Sequence, residues 1–146
     1  MESGLALAIT ISFFSSIAEF KNFVEKSIIE TKTSLGTHLS HTEDIRRRYD
    51  KSRKHFDTLK KLTGGKQQVP KDTKQMEVGG FKVLVNPTAE YELTLMEETV
   101  STLQDKLDAF EKAKEMFPVL KDEETKIGVV LNEGIPSGFM LYVPDL

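Results

Sequence analysis

The sequence predicts an α+β fold in which a long antiparallel helical hairpin, or coiled-coil arm, carries a small three-stranded β head. Three observations lead to this prediction. Residues 3–62 contain no proline and repeat apolar side chains every three or four positions, which is the spacing of one helical face. Residues 88–117 repeat the same spacing. Three short apolar segments are bounded by glycine, proline or asparagine, as strands usually are.

The chain divides into three regions on this reading. Residues 1–62 are predicted as one long N-terminal helix and residues 63–75 as a polar loop. Residues 76–146 are predicted as a strand, a helix and a hairpin, with the helix at 88–117 pairing with the first helix. A chain of 146 residues is long enough for one domain with an extended arm.

The first helix is predicted to continue through Gly36, although a break there, giving two helices, is the alternative. A heptad frame that starts at Ile28 keeps its phase across the glycine. Several seam positions in that frame are polar, among them Thr31, His38 and Thr42. A seam of this composition is weak alone and requires a well-matched partner.

The strands of the head are predicted at 81–85, 127–131 and 139–143. The first of them follows the Gly79-Gly80 pair, which is typical of a turn. Residues 132–138 are expected to form a hairpin loop between the last two strands. Since the strands at 127–131 and 139–143 are apolar on both faces, we expect both of their faces to be covered.

The second helix is expected to begin after Thr88, a suitable N-cap, and to end before Pro118. Its apolar seam is more regular than that of the first helix, so it is the natural partner for that helix. The residues predicted to pair the helices are Leu93, Met96, Val100, Leu103, Leu107 and Phe110.

Charge is distributed so that the two helices complement each other. Residues 45–66 carry a local net charge of +7 and residues 88–125 carry −7, within a chain of net charge −3. An antiparallel pairing is expected to place Arg46 beside Glu111. The alternative is a phosphate-binding surface. The residues of that candidate anion-binding surface are Arg46, Arg47, Arg48, Lys51, Arg53 and Lys54.

The N-terminal segment contains more apolar side chains than a two-helix seam can shelter. Burying one phenylalanine or isoleucine contributes roughly 1.5–3 kcal/mol, so leaving several exposed is costly. We therefore expect another copy, another protein, a fold-back at Gly36 or a membrane surface to cover this segment. The predicted interaction residues are Leu5, Ile9, Ile11, Phe13, Phe14, Ile17, Phe20 and Phe23.

No pattern in the chain indicates catalysis. The sequence contains no cysteine, which excludes thiolate chemistry and disulfides. His38 and His41 have a spacing that suits one helical face, but His38 falls on the predicted seam and no further ligand is suggested. We therefore expect neither an enzyme, nor a metal site, nor a cofactor.

The sequence thus favours a non-catalytic, oligomeric coiled-coil scaffold or adaptor that mediates protein–protein interaction. The expected partners are further copies of the chain, another protein, or both, and a cytoplasmic location is expected. One alternative is a membrane-surface or membrane-active protein that uses an apolar helix over residues 4–18. Nucleic-acid binding through the basic run 46–61 is the least favoured alternative.

Overall fold

The structure, a computed structural model, describes residues 8–64, 74–121 and 124–144. These residues form an α+β fold in two compact units, one made of Met1–Leu35 and Ser101–Leu146 and the other of Gly36–Val100. The predicted fold class is confirmed to this extent: two helices, one of them long, and a three-stranded antiparallel sheet. The elements are β1 (Ile9–Phe14), α1 (Ile17–Leu62), β2 (Lys74–Val78), β3 (Phe81–Val85), α2 (Ala89–Lys114), a 3₁₀ helix (Phe117–Val119), β4 (Lys126–Asn132) and β5 (Ile135–Tyr142).

The first unit is organised around an antiparallel sheet with the strand order β1–β4–β5. One face of this sheet packs against helical residues of the same unit, and its central strand contributes the buried side chains of Ile127, Val129 and Leu131. Phe20 of α1 is fully buried. This face and the first turns of α1 therefore form the core of the unit.

An aromatic cluster fills that core. The ring of Phe20 lies edge-on to Phe14, Phe117 and Phe139, with centroid separations of 6.1, 5.9 and 5.8 Å. Phe23 contacts Phe14 at 4.9 Å and Phe110 at 5.7 Å. Such pairs contribute about 0.5–1.5 kcal/mol beyond the area they bury. The cluster joins β1, α1, α2, the 3₁₀ helix and β5.

The prediction of a helix that begins near the N-terminus is wrong for residues 9–14, which form β1. Apolar residues four apart, such as Ile9 and Phe13, share a face in a helix and also in a strand, so that spacing does not separate the two. The Ile-Thr-Ile-Ser run that starts at Ile9 alternates apolar and polar residues and is rich in β-branched side chains. That composition favours a strand.

Helix α1 begins at Ile17 because a capping box precedes it. The Ser16 hydroxyl accepts a hydrogen bond from the Glu19 backbone N–H at 3.2 Å. The Glu19 carboxylate in turn accepts bonds from the Ser15 backbone N–H and hydroxyl, at 3.1 and 3.0 Å. The first bond satisfies a backbone donor of the first helical turn, and the bonds to Ser15 fix the residue that precedes the N-cap. The Ser-x-x-Glu spacing was the available sequence signal for this boundary.

The hairpin of the first unit is tighter than predicted. Glu133 and Gly134 have φ angles of 54° and 80°, and they form a two-residue turn of the type that matches the twist of antiparallel strands. Strand β5 therefore starts at Ile135, and the predicted loop over 132–138 is wrong in extent. Pro136 is tolerated because it lies on an edge strand, where the register with β4 shifts.

The strand predicted at 81–85 exists, but it belongs to a different sheet. As β3 it pairs with β2 in a two-stranded hairpin within the second unit, joined by Gly79 and Gly80. The third strand of the three-stranded sheet is β1 instead, because β1 supplies the uncharged strand that pairs with β4. Of the predicted polar loop 63–75, residues 65–73 lie outside the described part of the chain.

Helix α1 is continuous through Gly36, as the heptad phase predicts. Its polar seam positions Thr31 and Thr42 are buried. Each hydroxyl donates to a backbone carbonyl one turn earlier, Thr31 to Ser27 at 2.6 Å and Thr42 to His38 at 2.7 Å. With its hydroxyl satisfied locally, a threonine presents mainly its methyl group to the seam.

Helix α2 starts as predicted. The Thr88 hydroxyl accepts a hydrogen bond from the Tyr91 backbone N–H at 3.1 Å, which is an N-cap interaction. The helix ends at Lys114, earlier than the predicted 117, and residues around Pro118 form the 3₁₀ helix. After Lys114 the chain changes to hydrogen bonds that span three residues, from the Met116 N–H to the Ala113 carbonyl and from the Val119 N–H to the Met116 carbonyl.

We expect Phe20→Ala to lower the free energy of unfolding by about 3–5 kcal/mol, because it opens a cavity at the centre of the aromatic cluster. Denaturant titration followed by circular dichroism measures this change. Phe13→Ala is the control, since 65% of Phe13 is exposed, and it is expected to cost less than about 1 kcal/mol. Equal losses would contradict the central position of Phe20.

Thr31→Val is expected to raise the free energy of unfolding by up to about 1 kcal/mol, because it replaces a buried hydroxyl with a methyl group of similar volume. Thr33→Val is a matched control, because the Thr33 hydroxyl makes the same bond to a carbonyl one turn earlier but lies on the exposed side. It is expected to change stability by less than about 0.5 kcal/mol. Thermal denaturation of both variants compares them, and a destabilised Thr31→Val would show that the hydroxyl has a further role.

Candidate functional site

The sheet of the first unit has a second face that is apolar and exposed, and we call it the outer sheet face. In the β1–β4 register, Ile9, Ile11 and Phe13 lie opposite Asn132, Val130 and Gly128. Directly opposed residues of antiparallel strands share a face. These positions therefore lie on the side away from the buried residues of β4. The apolar side chains of the outer sheet face are Ile9, Ile11, Phe13, Val130, Met140 and Tyr142, and the register places Lys126 and Asn132 on the same face at the two ends of β4.

Exposure separates the two faces of β1. Ile9, Ile11 and Phe13 are 60%, 45% and 65% exposed. Phe14, on the other face, contacts the rings of Phe20 and Phe23. Strand alternation thus directs three of the four apolar side chains of β1 to the outer face, while Phe14 enters the core.

Gly128 shapes the middle of the outer sheet face. A Cβ atom at this position would lie 2.9 Å from the Met140 Cε and 3.2 Å from the Phe13 Cε1. These side chains of the flanking strands therefore close over the backbone of β4, which a larger residue would prevent. The result is a continuous apolar surface across β1, β4 and β5.

The structure divides the predicted N-terminal interaction residues into three groups. Ile17 and Phe20 are buried, and Phe14 and Phe23 are half-buried, so one copy of the chain already covers them. Leu5 lies outside the described residues. The exposed remainder is the β1 part of the outer sheet face. The requirement for outside cover therefore applies to a smaller surface than the sequence suggested, and to a strand instead of a helix.

The predicted helix-pairing residues lie on the packed side of α2. Leu107 and Phe110 are buried within the first unit, and the other members of the set are half-buried. In the second unit, α1 and α2 are joined by ion pairs between Arg46 and Glu97 and between Arg48 and Glu92, both at 3.1 Å. The antiparallel direction is as predicted.

The register of that pairing differs from the prediction. Arg46 contacts Glu97 instead of Glu111, which lies fourteen residues, or two heptads, further along α2. A heptad pattern is unchanged by a shift of whole heptads, so the seam alone does not determine the stagger. Exposed ion pairs of this kind contribute at most about 1 kcal/mol each.

Half of the candidate anion-binding residues are already engaged by carboxylates of the chain. Arg46 also contacts Glu43 at 3.0 Å, and Arg47 contacts Asp44. The other three residues of the set are exposed on α1. The positive charge that α1 offers to a phosphate is therefore smaller than its sequence suggests. The three exposed residues of the set are Lys51, Arg53 and Lys54.

The β2–β3 hairpin turns its polar side toward α2. Gln75 Nε2 and Lys82 Nζ both donate hydrogen bonds to the Tyr91 hydroxyl, at 3.3 and 3.2 Å. The opposite side of the hairpin is apolar, and its Val78 and Phe81 are a facing pair that is exposed, Phe81 to 76%. The second unit therefore also presents an apolar strand surface.

The two histidines whose spacing suits a metal site lie on the same helix. His38 is half-buried and His41 is exposed, both on α1. Among residues 8–64, 74–121 and 124–144, no three His, Asp or Glu side chains are arranged to hold a metal ion. Neither helix of this part of the chain has the length and apolar character that crossing a bilayer requires.

No protein-family model, curated protein or solved structure matches this chain.

Tyr91→Phe is expected to increase amide hydrogen exchange in β2 and β3 while leaving the exchange of β4 unchanged, because it removes both hydrogen bonds from the hairpin to α2. Hydrogen-exchange mass spectrometry measures the change by segment. Tyr142→Phe is the control, because the Tyr142 hydroxyl contacts the Met140 sulfur of its own strand at 3.7 Å and lies on β5, in the other sheet. Unchanged exchange in β2 and β3 would show that other contacts attach the hairpin.

Proposed function

We propose that this protein is a non-catalytic, self-associating scaffold or adaptor whose contact surface is the outer sheet face. In this proposal α1 and α2 form the supporting coiled coil. On this proposal the seam residues are used between the two helices of one chain, and the sheet provides the surface for assembly.

The supporting observation is the exposure of Ile9, Ile11 and Phe13 beside one another on one strand. Single exposed apolar side chains are common on proteins and need no explanation, but a contiguous apolar patch on a sheet usually marks an interaction surface. Covering such side chains contributes about 1–2 kcal/mol each at the exposures seen here. A partner surface of similar size would gain this free energy by covering all three side chains.

A second copy of the chain is the occupant that the chemistry of β1 favours. Residues 9–14 contain no charged side chain. Two copies therefore meet there without like-charge repulsion, and the low net charge of −3 per chain adds little at long range. A nucleic acid would find no cation on this strand.

The two alternatives receive less support. An amphipathic membrane helix over residues 4–18 is inconsistent with β1, because residues 9–14 are a strand. Nucleic-acid binding would depend on a basic run in which Arg46, Arg47 and Arg48 are paired with carboxylates. Strong salt dependence of DNA or RNA binding would be its signature.

We expect Phe13→Thr to weaken self-association at least tenfold, because threonine preserves strand propensity while removing the largest exposed side chain of β1. Sedimentation equilibrium between about 5 and 300 μM measures the dissociation constant, with micromolar values expected for a small interface.

Ile29→Thr is the matched control, because Ile29 is also 65% exposed but lies on α1, away from the outer sheet face. It should leave the dissociation constant unchanged. A wild-type chain that stays monomeric across the whole concentration range would refute self-association.

A further inference from the structure

We infer that the open edge of β1 pairs antiparallel with the same edge of a second copy, about a two-fold axis at Ile11. The two three-stranded sheets then join into one six-stranded sheet with the order β5–β4–β1–β1–β4–β5. This inference rests on the self-association proposed above and places the contact at the β1 end of the outer sheet face, where Ile9, Ile11 and Phe13 of the two copies become neighbours across the joined edges.

The hydrogen-bonding groups at this edge follow from one bond at the start of β1. The Ala8 carbonyl accepts a hydrogen bond from the Glu133 backbone N–H at 2.8 Å, so the polar groups of Ala8 face β4. In an antiparallel strand, successive residues direct these groups to alternate sides. Thr10, Ser12 and Phe14 therefore also face β4.

The backbone N–H and C=O groups of Ile9, Ile11 and Phe13 consequently point to the other side of β1. Over the part of the chain that the structure describes, no strand pairs with β1 on that side. An edge of this kind is a template for another strand, because its polar groups gain partners when one is added. The same three residues carry the exposed apolar side chains of β1.

The two edges of the sheet differ in their protection. Strand β5, at the opposite edge, contains Pro136 and an irregular register with β4. Proline and irregular pairing are devices that block further strand addition. Strand β1 contains no proline and no charge, and its pairing with β4 is regular over six residues. Strand addition is therefore directed to β1.

Two conditions fix the register between the copies. Residues with outward polar groups must oppose one another, and side chains of the outer sheet face must stay on that face. An axis at Ile11 meets both conditions and uses the full strand. It places Ile11 opposite Ile11 and Ile9 opposite Phe13 of the second copy.

The side-chain pairs in this register are mutually compatible. On the outer face, isoleucine meets isoleucine and isoleucine meets phenylalanine, which are favourable cross-strand combinations. On the other face, Thr10 meets Ser12 of the second copy, and their hydroxyls are able to bond. The strand is thus complementary to itself, which favours a second copy over an unrelated strand as occupant.

Cysteine cross-linking tests the register, because the chain contains no cysteine of its own. In Ile11→Cys the two introduced thiols face each other at the axis, where the Cα atoms of a hydrogen-bonded pair lie about 5.5 Å apart, within disulfide reach. In Ile9→Cys the two thiols belong to residues offset by four positions, more than about 13 Å apart and out of reach.

We expect Ile11→Cys to form a covalent dimer under mild oxidation at least tenfold faster than Ile9→Cys or Phe13→Cys alone. A mixture of Ile9→Cys and Phe13→Cys should form the mixed dimer, because those positions oppose each other. Non-reducing electrophoresis with mass spectrometry identifies each product, and circular dichroism melts confirm that every variant is folded.

Equal cross-linking of Ile9→Cys and Ile11→Cys would indicate a parallel or undefined pairing and would overturn the inference. The same conclusion holds if none of the variants cross-links while sedimentation shows a wild-type dimer, since association would then use another surface. A wild-type monomer at about 300 μM refutes the proposed self-association itself, so the two failures are distinguishable.

Discussion

The packing of Phe20 determines which side chains of β1 are buried in the first unit and which are exposed to solvent. Its ring requires Phe14 on the inner face of β1, and a strand that turns Phe14 inward must turn Ile9, Ile11 and Phe13 outward. The buried core and the exposed apolar surface are therefore two consequences of one contact. Removing the exposed side chains leaves the core intact, whereas moving the strand by one residue would exchange the faces.

The pairing of α1 and α2 depends on a different balance of interactions. Locally satisfied threonines occupy seam positions of α1, and charged flanks join the helices in the second unit. The seam is periodic and therefore compatible with several staggers that differ by whole heptads. The arginines select among them weakly, because exposed ion pairs contribute little. The seam and its flanking charges therefore specify the direction of pairing better than its stagger.

The sequence was sufficient to predict features that a local pattern determines. The α+β class, the Thr88 cap and the continuity of α1 through Gly36 follow from periodicity and capping chemistry. The identity of the third strand does not, because residues four apart share a face in both helices and strands. For the outer sheet face, the sequence indicated the residues Ile9, Ile11 and Phe13, but their common face becomes evident only once β1 is paired with β4.

The open edge of β1 and its exposed apolar side chains would promote aggregation unless they are paired in a closed assembly. A chain with two open, unprotected sheet edges can add copies without end, as fibres do. Here one edge is open and uncharged, while the other carries Pro136 and an irregular register. Pairing of two β1 edges about a two-fold axis uses both open edges at once and leaves only the protected β5 edges outside. The asymmetry between the edges therefore favours a dimer that closes over an assembly that grows.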